Sequence, residues 1–355
     1  MDEPVLDKPY VLSFNEIKQA AERIENGIIH TPLCVTVVLP EHCPPSQSQR
    51  CAELGADVVM LGETFEDTVN YAKKANREDR QIILRSDDPL VMAGLGTLGM
   101  EIITQLPETD AVIVPVATGA LLAATLVACK KLKCTCLIYG AECSKVPKMM
   151  KALQAGQPVP VPVVPNLAQG LNASIAGDNA FATIKGRLDR MLVVDEAYIA
   201  RAVINLLERE RLVADGAGVC ALAAVMQGLV PELRGKRAVC IISGGNIDSG
   251  KLSRTIQRGL GVSGRMMRFA VALPDHCRGL EVLAKTIAEE RAVLKSLVTE
   301  QMWVHTDVGI TWANVVVETA NEEHAGIFKD RLRNLYPTIR FAMVDIDDKH
   351  KAGLR

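Results

Sequence analysis

Between residues 111 and 259 the chain repeats one pattern, short apolar runs followed by stretches with helical spacing. The apolar runs are 111–116, 135–139 and 237–242, and the helical stretches are 119–131, 146–155, 178–187, 196–210, 216–227 and 250–259. A run that is apolar at successive positions buries both faces of its strand. Strands of that kind, separated by helices, belong to a parallel sheet, because parallel neighbours need a crossover and the crossover helices cover both faces. This excludes a helical bundle and an antiparallel sandwich for the middle of the chain. Upstream the same order recurs in shorter pieces. Ser13 and Glu16 form an S-x-x-E capping box for a first helix that Gly27 closes. Strands are predicted at 35–39, 57–61 and 81–84, and helices at 46–54, 65–75 and 90–105, the last containing several glycines that call for a close neighbour.

After Gly261-Val262-Ser263-Gly264 the order changes to strand, helix (279–290), strand, strand (310–318), helix (322–334) and strand (339–344). That βαββαβ order is the split, ferredoxin-like arrangement. Gly264 serves as the linker, so a second unit begins near residue 265. A length of 355 residues accommodates two or three such units.

A formal net charge of −2 gives no electrostatic reason to expect nucleic acid or an anionic membrane as partner. No stretch approaches the roughly 18 apolar residues of a spanning helix. The opening MDEPVLDKPY has the character of neither a secretory nor a transit peptide, so a cytoplasmic location is expected. The ten cysteines include no C-x-x-C pair and the six histidines are scattered, which leaves buried free thiols and no metal site as the expectation.

In an open parallel sheet, ligands bind beyond the carboxyl ends of the strands. Three such ends carry polar or glycine-bearing turns: Val116 to Ala120, Gly140 to Lys145, and Ser243-Gly244-Gly245-Asn246. A glycine-bearing turn into a helix can hold a phosphate on free N–H groups, but Ala117, Thr118 and Ala120 flank a single glycine, Gly119, so an ordinary turn is the competing reading. The 243–246 turn suits close backbone approach to a ligand, and a plain turn accounts for it equally well. Asp215-Gly216-Ala217-Gly218 reads first as a helix N-cap. Lys145 and Lys148 follow a strand end, yet a Schiff-base lysine needs desolvation or a cationic neighbour, and both are expected to be solvated. Spacing reveals no Ser/His/Asp set, paired carboxylates or P-loop.

Taken in order, these segments resemble the threonine/serine dehydratases of the fold-type-II pyridoxal-phosphate class. Ile29-His30-Thr31-Pro32-Leu33 is similar to the family's HTPL, and Val35 to Pro40 and Leu54 to Val59 to its second small-domain unit. Asp88-Pro89 with Ala93-Gly94-Leu95-Gly96-Thr97 is similar to D-x-P-x-x-x-A-G-Q-G-T. Val112 to Val116 precedes the position of its tetraglycine loop. Leu212 to Gly218 resembles V-V-E-G-A-G, and Ile242 to Asp248 the signature at the cofactor ring. The resemblance implies an α/β fold with parallel sheets, a large domain from 1–33 and 97–262, a small-domain remnant at 34–96, and pyridoxal phosphate as cofactor. It implies Ser243 opposite the pyridine nitrogen and Ala117, Thr118, Gly119 and Ala120 in the phosphate loop, where the family has four glycines. Asp215 stands for the family's glutamate and Gln169 for its aspartate. The C-terminal unit, 265–355, resembles an ACT-type regulatory domain through Pro274-Asp275, Gly279-Leu280, Met302-Trp303 and Thr306-Asp307-Val308. Cys277-Arg278 replaces Pro-Gly in that unit's ligand turn.

The chain passes from HTPL directly to the strand at 35–39, without the family's S-F-K-x-R-G and S-x-G-N-H segments. No catalytic residue is therefore assigned. The expectation is a non-catalytic homologue of an L-threonine/L-serine dehydratase, with a shortened form of an active enzyme as one alternative. Another is an amino-acid-binding or assembly partner acting through the ACT-like unit. The expected partners are further copies of the chain or an intact paralogue, with a small amino acid as any ligand. Loss of a small-domain portion leaves apolar faces uncovered, so poor solubility or partner dependence is expected as well.

Overall fold

A computed structural model describes residues 10–25, 36–43, 45–63, 65–75, 86–301 and 308–342. The first helix, α1 (Phe14–Glu25), opens on the expected capping box, with the Ser13 N–H donating to Glu16 Oε2 at 3.0 Å. It is followed by β1 (Thr36–Leu39), α2 (Pro45–Glu53), β2 (Asp57–Met60) and α3 (Phe65–Ala75). Strands β1 and β2 pair in parallel, with Val37 opposite Val58. The strand expected at 81–84, the HTPL segment at 30–33 and the closing Gly27 lie outside the described residues. Next comes α4 (Pro89–Gln105), opened by proline at its first position and by the Asp88 carboxylate, which accepts the Leu90 N–H at 2.9 Å. Two of its glycines meet the close neighbour the sequence called for, Gly96 against Ile17 of α1 and Gly99 against Ala128, whereas Gly94 faces open space.

The central sheet follows in β3 (Ala111–Pro115), α5 (Ala120–Leu132), β4 (Leu137–Cys143), α6 (Lys148–Ala155), α7 (Asp178–Ile184), β5 (Arg190–Val194), α8 (Glu196–Asn205), α9 (Cys220–Met226), β6 (Ala238–Cys240) and α10 (Ser249–Val262). All four strands are parallel in the order β5-β4-β3-β6. Strand β3 is buried throughout, and its side chains alternate between two cores. Val112 and Val114 join Ile17, Met92, Leu122, Leu126, Met149 and Ile184 on one face. Ala111 and Ile113 join Val194, Ile199, Val203 and Cys220 on the other. The pattern that most constrained the fold is thus a parallel sheet covered on both sides.

Three local expectations need correction. Strand β5 was not anticipated, although Met191 to Val194 is an apolar run bounded by charged Arg190 and Asp195. Strand β4 runs on through Cys143, so Gly140, Ala141, Glu142 and Cys143 belong to the sheet rather than to a turn beyond it. Strand β6 is half-exposed because it is the edge of the sheet, not a buried strand.

The C-terminal unit consists of β7 (Met266–Pro274), α11 (Cys277–Glu289), β8 (Val293–Glu300), β9 (Ile310–Glu318), α12 (Glu322–Leu335) and β10 (Arg340–Phe341). Its sheet is antiparallel, in the order β10-β7-β9-β8. Period-two alternation places Phe269, Val271, Ala313 and Val315 against Leu283, Ile287, Phe328 and Leu332 of the helices. Phe269 and Phe328 meet edge to face, with ring centroids 6.3 Å apart. No helix among the described residues is long and apolar enough to cross a membrane.

Candidate functional site

The strand order itself locates a site. From β3 the chain winds outward through β4 to β5, then returns to place β6 on the other side of β3. Where the winding reverses, the crossover helices leave the sheet on opposite faces and a crevice opens beyond the strand ends. The ends that flank this reversal are those of β3 and β6. They lead into the 116–120 turn and the 241–246 segment, two of the three strand ends singled out in the sequence.

The first turn is a helix N-terminus. Gly119 caps α5 at φ 103° and ψ −5°, a left-handed conformation, and a Cβ there would overlap the Met149 methyl group. Among the described non-glycine residues only Arg211 and Arg291 have positive φ, so Ala117, Thr118 and Ala120 hold the turn without backbone strain. The single glycine retained is the one the backbone needs. Among the described residues, the N–H groups of Ala117, Thr118 and Gly119 meet no acceptor. On the far side the turn is anchored, since the Thr118 carbonyl accepts the Gly177 N–H at 2.8 Å. The Thr118 and Ser86 hydroxyls lie 2.7 Å apart. Ser86 precedes the Asp88-Pro89 pair, which places that segment against the turn.

Behind the turn lies a charge pair that spacing did not reveal. Lys148, expected to be solvated, is fully buried, and so is Glu142. The Lys148 ammonium donates to the Val116 carbonyl at 3.1 Å and lies 3.7 Å from Glu142 Oε2. The Glu142 carboxylate accepts the N–H groups of Met149 at 3.1 Å and Met150 at 2.8 Å, closing the start of α6. Burial holds the Lys148 pKa below its ordinary value, with Glu142 pulling the other way. Burial likewise raises the Glu142 pKa, opposed by Lys148 and the two N–H groups. The only signal in the sequence was a glutamate inside an apolar strand, six residues before a lysine at a helix start. Lys145, by contrast, is exposed as expected.

The second wall is backbone against backbone. The Asp215 N–H donates to the Gly244 carbonyl at 3.2 Å, and Asp215 Oδ1 accepts the Gly218 N–H at 2.7 Å. A Cβ on Gly218 would overlap the Gly244 carbonyl, and one on Gly245 would come within 2.5 Å of the Val213 carbonyl. Asp215 therefore caps a turn rather than the helix N-terminus its sequence suggested, since α9 begins only at Cys220 behind Val219, and it fixes the 243–246 loop as well. Ser243 and Asn246 are exposed in this loop. Gln169 accepts the Lys251 ammonium at 3.0 Å, and that ammonium also pairs with Asp248 at 3.3 Å. No group of His, Cys, Asp and Glu side chains suited to a metal ion occurs among the described residues, and the eight cysteines whose side chains are described are free thiols.

A parallel sheet whose switch point carries a helix N-terminus and, at the end of the neighbouring strand, a glycine-lined serine loop has the architecture of an α/β ligand-binding protein. Residues 33–244 match the model of the pyridoxal-phosphate dependent enzyme family. The chain is 36% identical over 290 residues to an L-threonine ammonia-lyase of Geobacter sulfurreducens, covering 81% of this chain and 72% of that protein. It is 32% identical to an L-threonine ammonia-lyase of Thermotoga maritima over the same shares. Among solved structures, the processed form of threonine deaminase isoform 2 from Solanum lycopersicum superposes with a TM-score of 0.60. That match has 25% identity and covers 71% of this chain and 81% of that one. The chain belongs to the pyridoxal-phosphate dependent enzymes, in their threonine/serine dehydratase branch of fold type II.

The residues present fit one end of that cofactor. N–H groups without an acceptor among the described residues at the start of α5 suit a phosphate, and Ser243 offers an exposed hydroxyl in the loop after β6. Covalent attachment is a different matter. The family's lysine segment is absent from the sequence, and Lys148 and Lys251 are engaged by Glu142 and Val116 and by Asp248 and Gln169.

Proposed function

We propose that this chain is a non-catalytic threonine/serine dehydratase homologue that holds pyridoxal phosphate without a covalent bond. Residues 117–120 receive its phosphate and Ser243 faces its ring nitrogen. When bound in an active relative, the cofactor supplies an electron sink for elimination from an amino acid, and the protein must supply the base. One observation carries the reading: S-F-K-x-R-G is missing, and the buried lysine near the turn is committed to Glu142 and Val116. Erosion of the loop to one glycine is compatible with phosphate binding, because that glycine has the only left-handed φ in the turn.

The C-terminal βαββαβ unit is read as an ACT-type domain used for assembly rather than for amino-acid sensing. Supporting this, β8 is an edge strand exposed over nearly its whole length, with Val293 and Val298 more than half exposed. Leu54, 82% exposed beside the two-stranded sheet, is a second apolar feature that a partner would cover. The partner proposed is a further copy or an intact paralogue in the cytoplasm.

The test is a titration of the purified protein with pyridoxal phosphate followed by borohydride reduction and mass spectrometry. The reading expects saturable binding that gel filtration removes and no reduced adduct on any lysine. A stoichiometric adduct on one lysine contradicts it.

A further inference from the structure

The buried charge pair reaches the proposed phosphate turn by two routes. The Lys148 ammonium donates to the carbonyl of Val116, which opens the 116–120 turn just before the proposed phosphate-binding residues, and the methyl group of its neighbour Met149 packs at Gly119. Both residues begin α6, where Glu142 of β4 takes up the N–H groups of Met149 and Met150. Strand β4 is in turn paired with β3 up to Ala141, next to Pro115, and the Val116 N–H donates to the Ala141 carbonyl at 2.8 Å. Val116 is thus held at both its polar groups, by β4 directly and by Lys148, which Glu142 orients. A core of this kind could have been filled by apolar residues at lower desolvation cost. What the ion pair adds is direction, a donor fixed at one carbonyl.

We propose that Lys148 is a positioning residue for the phosphate site, its ammonium locking the Val116 carbonyl so that the N–H groups of Ala117, Thr118 and Gly119 converge on one anion. This rests on the reading of residues 117–120 as a phosphate turn. Lys148 touches no ligand itself. Its ammonium lies on the buried side, and the free N–H groups serve the anion. The ligand class is a phosphate monoester, for which inorganic phosphate and pyridoxal phosphate serve as probes.

Two variants test this in the full-length chain. Lys148→Met removes the donor and leaves Glu142 unpaired. Glu142→Gln/Lys148→Met removes both charges at similar volume and keeps an amide oxygen for the start of α6, so it folds where the single variant fails. Loss of one oriented hydrogen bond at the turn is expected to weaken binding of both probes by about tenfold in the double variant. Site-resolved amide exchange supplies a reading independent of any ligand. The amides of Val116, Ala123 and Gly177, bonded to Ala141, Gly119 and Thr118, report on the turn. They should exchange faster in the double variant, while those of Ile199 and Val203 in α8 keep their protection. Unchanged exchange at the three turn amides overturns the role of Lys148, as does unchanged affinity for both probes. Failure of the unmodified protein to bind either probe overturns the phosphate reading instead, and the exchange comparison then still decides whether Lys148 orders the turn.

Discussion

Lys148 and Glu142 lie 3.7 Å apart with neither side chain exposed to solvent, and together they join the end of β3 to the start of α6. Removing one charge of such a pair strands the other in the interior, which costs about 3–5 kcal/mol. Lys148→Met alone should therefore destabilise the protein by about that amount in chemical denaturation. The double variant Glu142→Gln/Lys148→Met should lose under about 2 kcal/mol, because it strands no charge. If the losses of Lys148→Met and of Glu142→Gln alone summed to that of the double variant, the pair would not be coupled.

Gly119 is the position in the proposed phosphate turn where side-chain chemistry is forbidden. At φ 103° an alanine is strained, and its Cβ would displace the Met149 methyl group. Gly119→Ala should cost about 1–3 kcal/mol and abolish phosphate binding. Ala117→Gly, at an unstrained position, should leave binding within about twofold, a difference below roughly 0.5 kcal/mol. Calorimetric titration with pyridoxal phosphate checks both, and an intact site in Gly119→Ala would refute the assignment of the turn.

The central strands were legible because burial on both faces writes itself as continuous apolar sequence. Val112 and Val114 serve one core, Ala111 and Ile113 the other. The βαββαβ order of the C-terminal unit was legible from period-two alternation along β7 and β9, where every second residue is buried. Strand β5 escaped notice because only four apolar residues separate Arg190 from Asp195. The charge pair escaped because burial of Lys148 depends on Val116 and Glu142, which spacing along the chain does not bring together. The conformation of the 117–120 turn was not legible either, since only the structure shows that Gly119 alone takes a left-handed φ there.

Thiol reactivity should separate the cysteines by burial. Cys134 is exposed, whereas burial pushes Cys129 up to about 12 and Cys240 up to about 11, and raises Cys220 as well. At pH 8 in native protein, Cys134 should be alkylated within minutes and Cys240 of the half-exposed edge strand more slowly, whereas Cys129 and Cys220 should wait for unfolding. Peptide mapping after a short iodoacetamide pulse reads the order. Rapid labelling of Cys220 would contradict the core described for β3, α8 and α9.

Asp248 opens α10, accepting the Lys251 N–H at 2.8 Å, and that bond together with the Lys251 ammonium holds its carboxyl below the usual range. A carboxyl whose folded pKa is lowered stabilises the fold above its unfolded value, near 3.9. That contribution is lost as pH falls through the lower, folded value. Acid should loosen α10 over that window, and Asp248→Asn, which caps without a charge, should flatten the pH dependence there. Amide exchange at Lys251 between pH 5 and 3 measures it, and identical profiles for the two proteins would remove Asp248 from the account.

The central claim is that this member of the dehydratase family keeps a phosphate turn and lacks the reaction. The most direct measurement is 2-oxo acid release from L-threonine and L-serine by the purified chain at saturating pyridoxal phosphate, with cofactor binding measured on the same sample. The account predicts reversible binding at residues 117–120 and no 2-oxo acid above the rate of free cofactor. Sustained turnover, abolished by Gly119→Ala, would contradict it.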